Sequence, residues 1–209
     1  MNQKLEIKAH SAILMIETQN EWMHPEGKLN QSLVQDKEML QRSITNIEKV
    51  VDFARANGIP LLHIGLRFQP NYPELAHGQC GLRKAIPQAG TFQINSFGAE
   101  FYKSIKPLAH EFVVTGRMGA SGFAGSNLDV YLRNNKLENL YLLGYATHVC
   151  VESTLREAHD KGYHTFVLSD ATAAFNQQQQ DYFLKEILHH FGEGIVTGDF
   201  IQAKISKPK

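Results

Sequence analysis

The 209-residue chain carries 21 Lys and Arg against 21 Asp and Glu, a formal net charge of zero, so it lacks the cationic excess that drives non-specific binding to nucleic acid or to an anionic membrane. With 43% hydrophobic and 20% charged residues it has the make-up of an ordinary globular protein rather than a disordered one, and its length suits a single domain, residues 1–209, with a substantial core.

The first residues, Met1 to Glu6, contain no apolar leader, which argues against export. Runs such as Ala12 to Ile16 and Leu140 to Leu143 fall far short of the ~20 apolar residues needed to cross a bilayer. A strand is predicted at Ser11 to Glu17. A helix follows over Gln31 to Asn57, with Leu33, Leu40, Ile44, Ile47, Val51 and Ala54 on one face and Gly58-Ile59-Pro60 closing it. The second strand, Pro60 to Ile64, leads into an irregular stretch from Gln69 to Asn95 that holds Pro70, Pro73, Gly78, Gly81, Pro87 and Gly90. That stretch reads as a surface excursion suited to a lid or an oligomer contact. Beyond it the pattern predicts, in order, a helix at Gly98 to Lys106, a strand at Glu111 to Thr115, a helix at Ser126 to Asn134 and a strand at Asn139 to Gly144. A helix at His148 to Lys161, a strand at His164 to Ser169, a helix at Gln178 to Phe191 and a strand at Gly194 to Thr197 complete the set. No internal repeat or linker divides the chain. Short apolar strands alternating with helices define an α/β fold, a mainly parallel six-stranded sheet with helices on both faces.

Ligands of such sheets bind at the carboxyl ends of the strands. Four residues follow strands there: Glu17, Arg117, Cys150 and Asp170. The two cysteines, Cys80 and Cys150, make no disulfide framework, so a reducing cytoplasm is the expected compartment and each thiol is a candidate for chemistry. Cys150 sits where a buried strand gives way to a helix, and a helix start favours the thiolate of a group whose ordinary pKa is ~8.5. From position alone it is either a nucleophile or a small buried hydrophobe. Glu17, closing an apolar strand, is either a general base or a structural ion pair, and Arg117 is placed to be its cation. The glycines at 116, 119, 122 and 125 lack the spacing of a phosphate-binding loop and read better as a flexible loop lining a site.

Four segments together resemble the isochorismatase-like cysteine hydrolases, which include nicotinamidases, N-carbamoyl amidases and isochorismatases. They are Ala12 to Trp22, Arg117 to Phe123, Gly144-Tyr145-Ala146-Thr147 leading to Cys150-Val151, and Asp170 to Ala174. The resemblance covers nearly the whole chain and implies a three-layer α/β/α domain with a Rossmann-like sheet. It also implies a hydrolase of C–N bonds that works through a Cys thioester; no cofactor is expected. The family triad is Asp, Lys and Cys. Here Cys150 matches, while Glu17 stands at the Asp position and Arg117 at the Lys position. Both replacements keep the charge and lengthen the side chain, and reacting geometry is sensitive to shifts of ~1 Å. The resemblance further implies a cis Tyr145–Ala146 peptide and an oxyanion hole built from the N–H groups of Ala146 and Cys150. Trp22, Phe123 and His148 are the expected substrate contacts. A core role for Trp22 and Phe123, and a solvent-facing one for His148, are the alternatives.

Nicotinamidases bind a metal through Asp-x-His with a further His downstream. This chain has Leu62-His63-Ile64-Gly65-Leu66-Arg67 there, without the acid, so no metal is expected. The expected partners are a small-molecule substrate, an amide, a carbamoyl compound or a relative of these, and further copies of the chain in a homodimer or homotetramer. A weakened or non-catalytic member that binds a ligand or serves as a scaffold is the alternative, motivated by the Glu17 and Arg117 replacements.

Overall fold

The structure, a computed structural model, describes residues 5–75 and 77–206. Six parallel strands form the central sheet: β1 (Ser11–Ile16), β2 (Leu61–Ile64), β3 (Phe112–Val114), β4 (Asn139–Tyr145), β5 (His164–Ala173) and β6 (Glu193–Ile195), in the spatial order β3-β2-β1-β4-β5-β6. The order reverses at β1, between β2 and β4, and that crevice is where an open sheet of this kind holds its ligand. β1 is buried at every position and apolar from Ala12 to Ile16, because both its faces are covered. Ile13 and Met15 face one layer, in which α1 (Lys37–Asn57) contributes Leu40, Ile44, Ile47, Val51 and Ala54. Ala12, Leu14 and Ile16 face the other, with Leu128 and Leu132 of α3 (Leu128–Asn134) and Leu155 and Ala158 of α4 (Glu152–Asp160). The strands' period of two thus sorts one apolar run into two cores. The predicted α/β class and the six predicted strands are all present. Among the described residues no helix is long and apolar enough to cross a membrane.

Two helix predictions change. The long first helix is divided: a short helix covers Lys28–Leu33, and α1 begins only at Lys37. Between them the N–H groups of Gln35 and Asp36 both donate to the Phe175 carbonyl, and the Asp36 carboxylate then caps α1 through the Met39 N–H at 2.8 Å. Leu33 is therefore not on the core face of α1 but 40% exposed. The predicted helix at Gly98 to Lys106 is only two single turns, Phe97–Ala99 and Lys103–Ile105. Its backbone is diverted into the loop after β1, where the Asn20 N–H donates to the Glu100 carbonyl and the Tyr102 N–H to the Thr18 carbonyl. Conversely, the excursion contains a regular helix, α2 (Gly81–Ala89), closed by Gly90 in the left-handed conformation.

Two positions make the scaffold testable. Gly144 has φ +115°, and a Cβ there would lie 2.0 Å from the Ile16 carbonyl oxygen of the neighbouring strand. Backbone cannot yield as a flexible side chain does. Gly144→Ala is expected to cost about 3 kcal/mol or more, a fall in thermal midpoint of roughly 6–12 °C, measured by calorimetry. Away from the crevice, the Glu111 carboxylate accepts from Arg55 Nε at 2.8 Å and lies 2.8 Å from His63 Nε2. Burial raises the Glu111 carboxyl, but Arg55, the Leu108 N–H and His63 outweigh it and bring its pKa down to about 2. A depressed folded pKa gives stability that is full above the unfolded value of ~4.3 and is lost as pH falls from there toward 2. Thermal midpoints recorded across that window are expected to fall less steeply in Glu111→Gln than in the parent.

Candidate active site

Glu17 directly follows β1, and its backbone turns there with φ +48°, a conformation uncommon for a residue with a side chain. The turn buries its carboxylate almost completely. Oε2 accepts from Trp22 Nε1 at 2.7 Å and Oε1 from Arg117 Nη2 at 2.7 Å. Arg117 follows β3 and is equally buried. Its own loop curls around it: Nε donates to the carbonyls of Gly119 at 3.0 Å and Ser121 at 3.2 Å, and Nη2 also donates to that of Ala120. Four acceptors around one rigid fork explain why Arg rather than Lys holds this position. Arg117 Nη1 is buried and makes no hydrogen bond among the described residues.

Cys150 lies in the wide turn Thr147–Val151 that follows β4 and leads into α4. The Tyr145–Ala146 peptide before it is cis. The Ala146 carbonyl accepts from the N–H groups of Val149 and Val151, passing on either side of Cys150. One residue not singled out in the sequence ties the two loops together. Thr154 Oγ1 donates to the Cys150 carbonyl at 2.7 Å and accepts from the Gly122 N–H at 2.9 Å, so the Cys150 turn and the Arg117 loop are held by one hydroxyl.

The electrostatics differ from the sequence expectation. Burial raises the Cys150 pKa and the Glu17 charge adds to the rise, while the Arg117 charge pulls the other way without overcoming them. Desolvation opposes the Arg117 charge too, but Glu17 and Cys150 hold its pKa above the ordinary value. Burial thus favours the neutral thiol beside the Glu17–Arg117 ion pair, against the pull toward the thiolate expected of a helix start. Alkylation of Cys150 by iodoacetamide is expected to be slow at pH 7 and still rising above pH ~8.5. Because Cys80 is exposed, the rates are to be taken in a Cys80→Ala background.

Glu17, Cys150 and Ala146 line one cavity of about 370 Å³. Its other walls are Trp22, Leu29, Leu66, Phe92, Val149 and Phe175, with Leu82, Ala85, Ile86 and Ala89 along one side of α2. Of the three predicted substrate contacts only Trp22 lines it. Phe123 is buried in the core, stacked on Tyr163 and outside the lining. His148 sets its ring edge-on to Phe175 at 4.6 Å and lies outside the lining. Asp170 is not at the site either, since β5 runs on through it and its carboxylate accepts from the Thr197 N–H and hydroxyl at 2.7 Å. Leu66, Phe92 and Phe175 had no legible signal, because loops bring them in from distant parts of the chain. Among the described residues no group of three or more His, Cys, Asp and Glu gathers where it could hold a metal ion, and His63 is spent on Glu111.

The chain as a whole has relatives among known proteins. The isochorismatase domain family matches residues 11–199. Ureidoacrylate amidohydrolase RutB of Methylobacterium radiotolerans is 33% identical over 175 residues, which are 78% of this chain and 67% of that protein. The crystal structure of an isochorismatase-like hydrolase from Alkaliphilus metalliredigens superposes with a TM-score of 0.74 at 25% identity, covering 92% of this chain and 97% of that one. The N-carbamoylsarcosine amidase of Thermoplasma acidophilum shares the fold, with a TM-score of 0.64 at 22% identity over 94% and 95% of the two chains.

Proposed function

The chain belongs to the isochorismatase family of hydrolases, and from that premise we propose that it cleaves the C–N bond of a small amide or carbamoyl compound through a thioester on Cys150. The observation that carries the reading is that Glu17, held by Arg117 in a buried pair 2.7 Å apart, lines the same cavity as the Cys150 thiol. The named activities of the relatives, ureidoacrylate amidohydrolase and N-carbamoylsarcosine amidase, support the bond class.

In this reading Cys150 Sγ bonds to the substrate carbonyl carbon as Glu17 accepts the thiol proton. A thiol held neutral at rest suits such a concerted step, because the thiolate forms only as substrate arrives. The N–H groups of Ala146 and Cys150 take the developing oxyanion. Glu17 then passes the proton to the leaving nitrogen as the C–N bond breaks, and the thioester remains. Water attacks that carbon next and gives its proton to Glu17. The C–S bond breaks, the acid leaves and Sγ recovers the proton. Arg117 stays protonated throughout, balancing Glu17 and fixing the orientation of its carboxylate while the Trp22 indole holds the other oxygen. The test is ammonia release from a panel of primary amides, N-carbamoyl acids and ureido acids. Turnover of at least one class that disappears in Cys150→Ser is expected. Turnover that survives the substitution, or none from the whole panel, overturns the reading.

A further inference from the structure

Among the described residues, the cavity that Glu17 and Cys150 line has no cationic side chain on its wall. A pocket that binds a ureido acid or another anionic amide must supply a cation or several donors to replace the water around the carboxylate, because an unpaired buried charge is strongly disfavoured. None of the described residues lining this cavity is Lys, Arg or His, and its polar side chains are limited to Glu17, Ser32, Thr91 and Cys150. The cations near these residues in sequence lie outside the lining, the exposed Arg67 beside Leu66 among them. α2 presents Leu82, Ala85, Ile86 and Ala89 to the cavity, at the spacing of one helical face, while Arg83 and Lys84 are exposed outside the lining. Lys28 Nζ donates to the carbonyls of Ala89 and Gly90 at the end of the same helix. Arg117 is outside the lining and engaged with Glu17 and its own loop. The Trp22 N–H, a donor on the wall, is taken by Glu17. A substrate carboxylate here would meet apolar side chains and the Glu17 carboxylate, and no side-chain cation.

Resting on the thioester reading above, we propose that the substrate is an uncharged amide bearing an apolar group, an aryl ring or a branched or linear alkyl chain. The group lies among Leu29, Leu66, Ile86, Phe92 and Phe175, with the reacting carbonyl between Cys150 and Ala146. At about 370 Å³ the cavity is at the lower end of the ~300–1,000 Å³ typical of small-molecule sites, which limits the group to a single ring or a short chain. Hydrolysis of such a compound gives the apolar carboxylic acid and ammonia or an amine. The product acid is charged where the substrate is not, and a cavity without a cation favours its release.

Trp22, the only tryptophan of the chain, forms part of the wall and reports binding separately from chemistry. Fluorescence titration of the Cys150→Ala protein with hexanamide and with 3-ureidopropanoate, neither of which absorbs in the indole band, is expected to show at least tenfold tighter binding of the neutral amide. Leu82→Arg adds a cation at a position already 42% exposed, so folding is spared. It is expected to narrow that ratio by at least threefold. In the parent, kcat/KM for hexanamide or benzamide is expected to exceed that for 3-ureidopropanoate at least tenfold. Equal or tighter binding of the anion overturns the assignment of a neutral substrate while leaving the thioester reading intact. Preferential binding of the neutral amide without any Cys150-dependent turnover overturns the thioester reading and keeps the specificity of the cavity.

Discussion

Replacing Cys150 by alanine is expected to lower kcat by about 10⁴-fold or more, because the proposed thioester forms on the sulfur that the substitution removes. The substitution removes one sulfur from a site that is 4% exposed and leaves the backbone of the turn, with its bonds from Val149 and Val151 to Ala146, untouched. Folding is therefore expected to survive, with a change in stability of about 1 kcal/mol. A large loss of turnover without a large loss of stability separates a nucleophile from a buried structural thiol, for which the opposite pattern holds. Steady-state kinetics and thermal melts on the same preparation make the comparison.

Arg117→Met is expected to damage both activity and stability. It leaves the Glu17 carboxylate buried without its cation, and breaking a buried pair from one side typically costs about 3–5 kcal/mol. It also frees the carbonyls of Gly119, Ala120 and Ser121, which the guanidinium now organises. Two further variants decide how the cost arises. Glu17→Gln/Arg117→Met removes both charges and is expected to recover part of the stability but none of the activity. Arg117→Lys keeps the charge but cannot serve Glu17 and three carbonyls with the same geometry, and an intermediate loss in both measurements is expected. Equal stability of Arg117→Met and the parent would show that the pair contributes nothing to folding.

Much of this was legible in the sequence, for identifiable reasons. Strands such as Ala12 to Ile16 and Leu140 to Leu143 are buried on both faces, so their apolar runs announce themselves. Where the chain makes regular helix its stop signals are equally local, as at Gly58 after α1. Glu17, Arg117 and Cys150 could be singled out because each follows a predicted strand of the parallel sheet, yet Asp170, singled out by the same argument, is engaged with Thr197 outside the cavity. What escaped depends on distant partners. Whether residues 34–36 continue a helix is decided by the Phe175 carbonyl, about 140 positions away, and the stretch from Gly98 to Lys106 is held open by backbone bonds to Thr18 and Asn20. Phe123 was drawn to the pocket by its position in a matched segment, yet it packs on Tyr163 outside the cavity lining.

The state of the thiol was the least accessible property. A helix start beside a cation argues for a thiolate, and only the completeness of burial, with Glu17 closer to Cys150's affairs than a sequence can tell, reverses the sign. The walls of the cavity belong to the same category. α2 lies inside a stretch that reads as punctuation, with Gly81, Pro87 and Gly90 spaced along it, and its apolar side acquires meaning only when it lies against Trp22 and Phe92.

The most direct test of the central claim is intact-mass analysis of enzyme quenched in acid during the first turnovers of a hydrolysed amide. The account predicts an added mass equal to the acyl group, located on the peptide containing Cys150, released by hydroxylamine, decaying at a rate compatible with kcat and missing in Cys150→Ala. Ammonia release with no acylated enzyme at any time under conditions where deacylation is slowed, or an acyl group found on another residue, would contradict it.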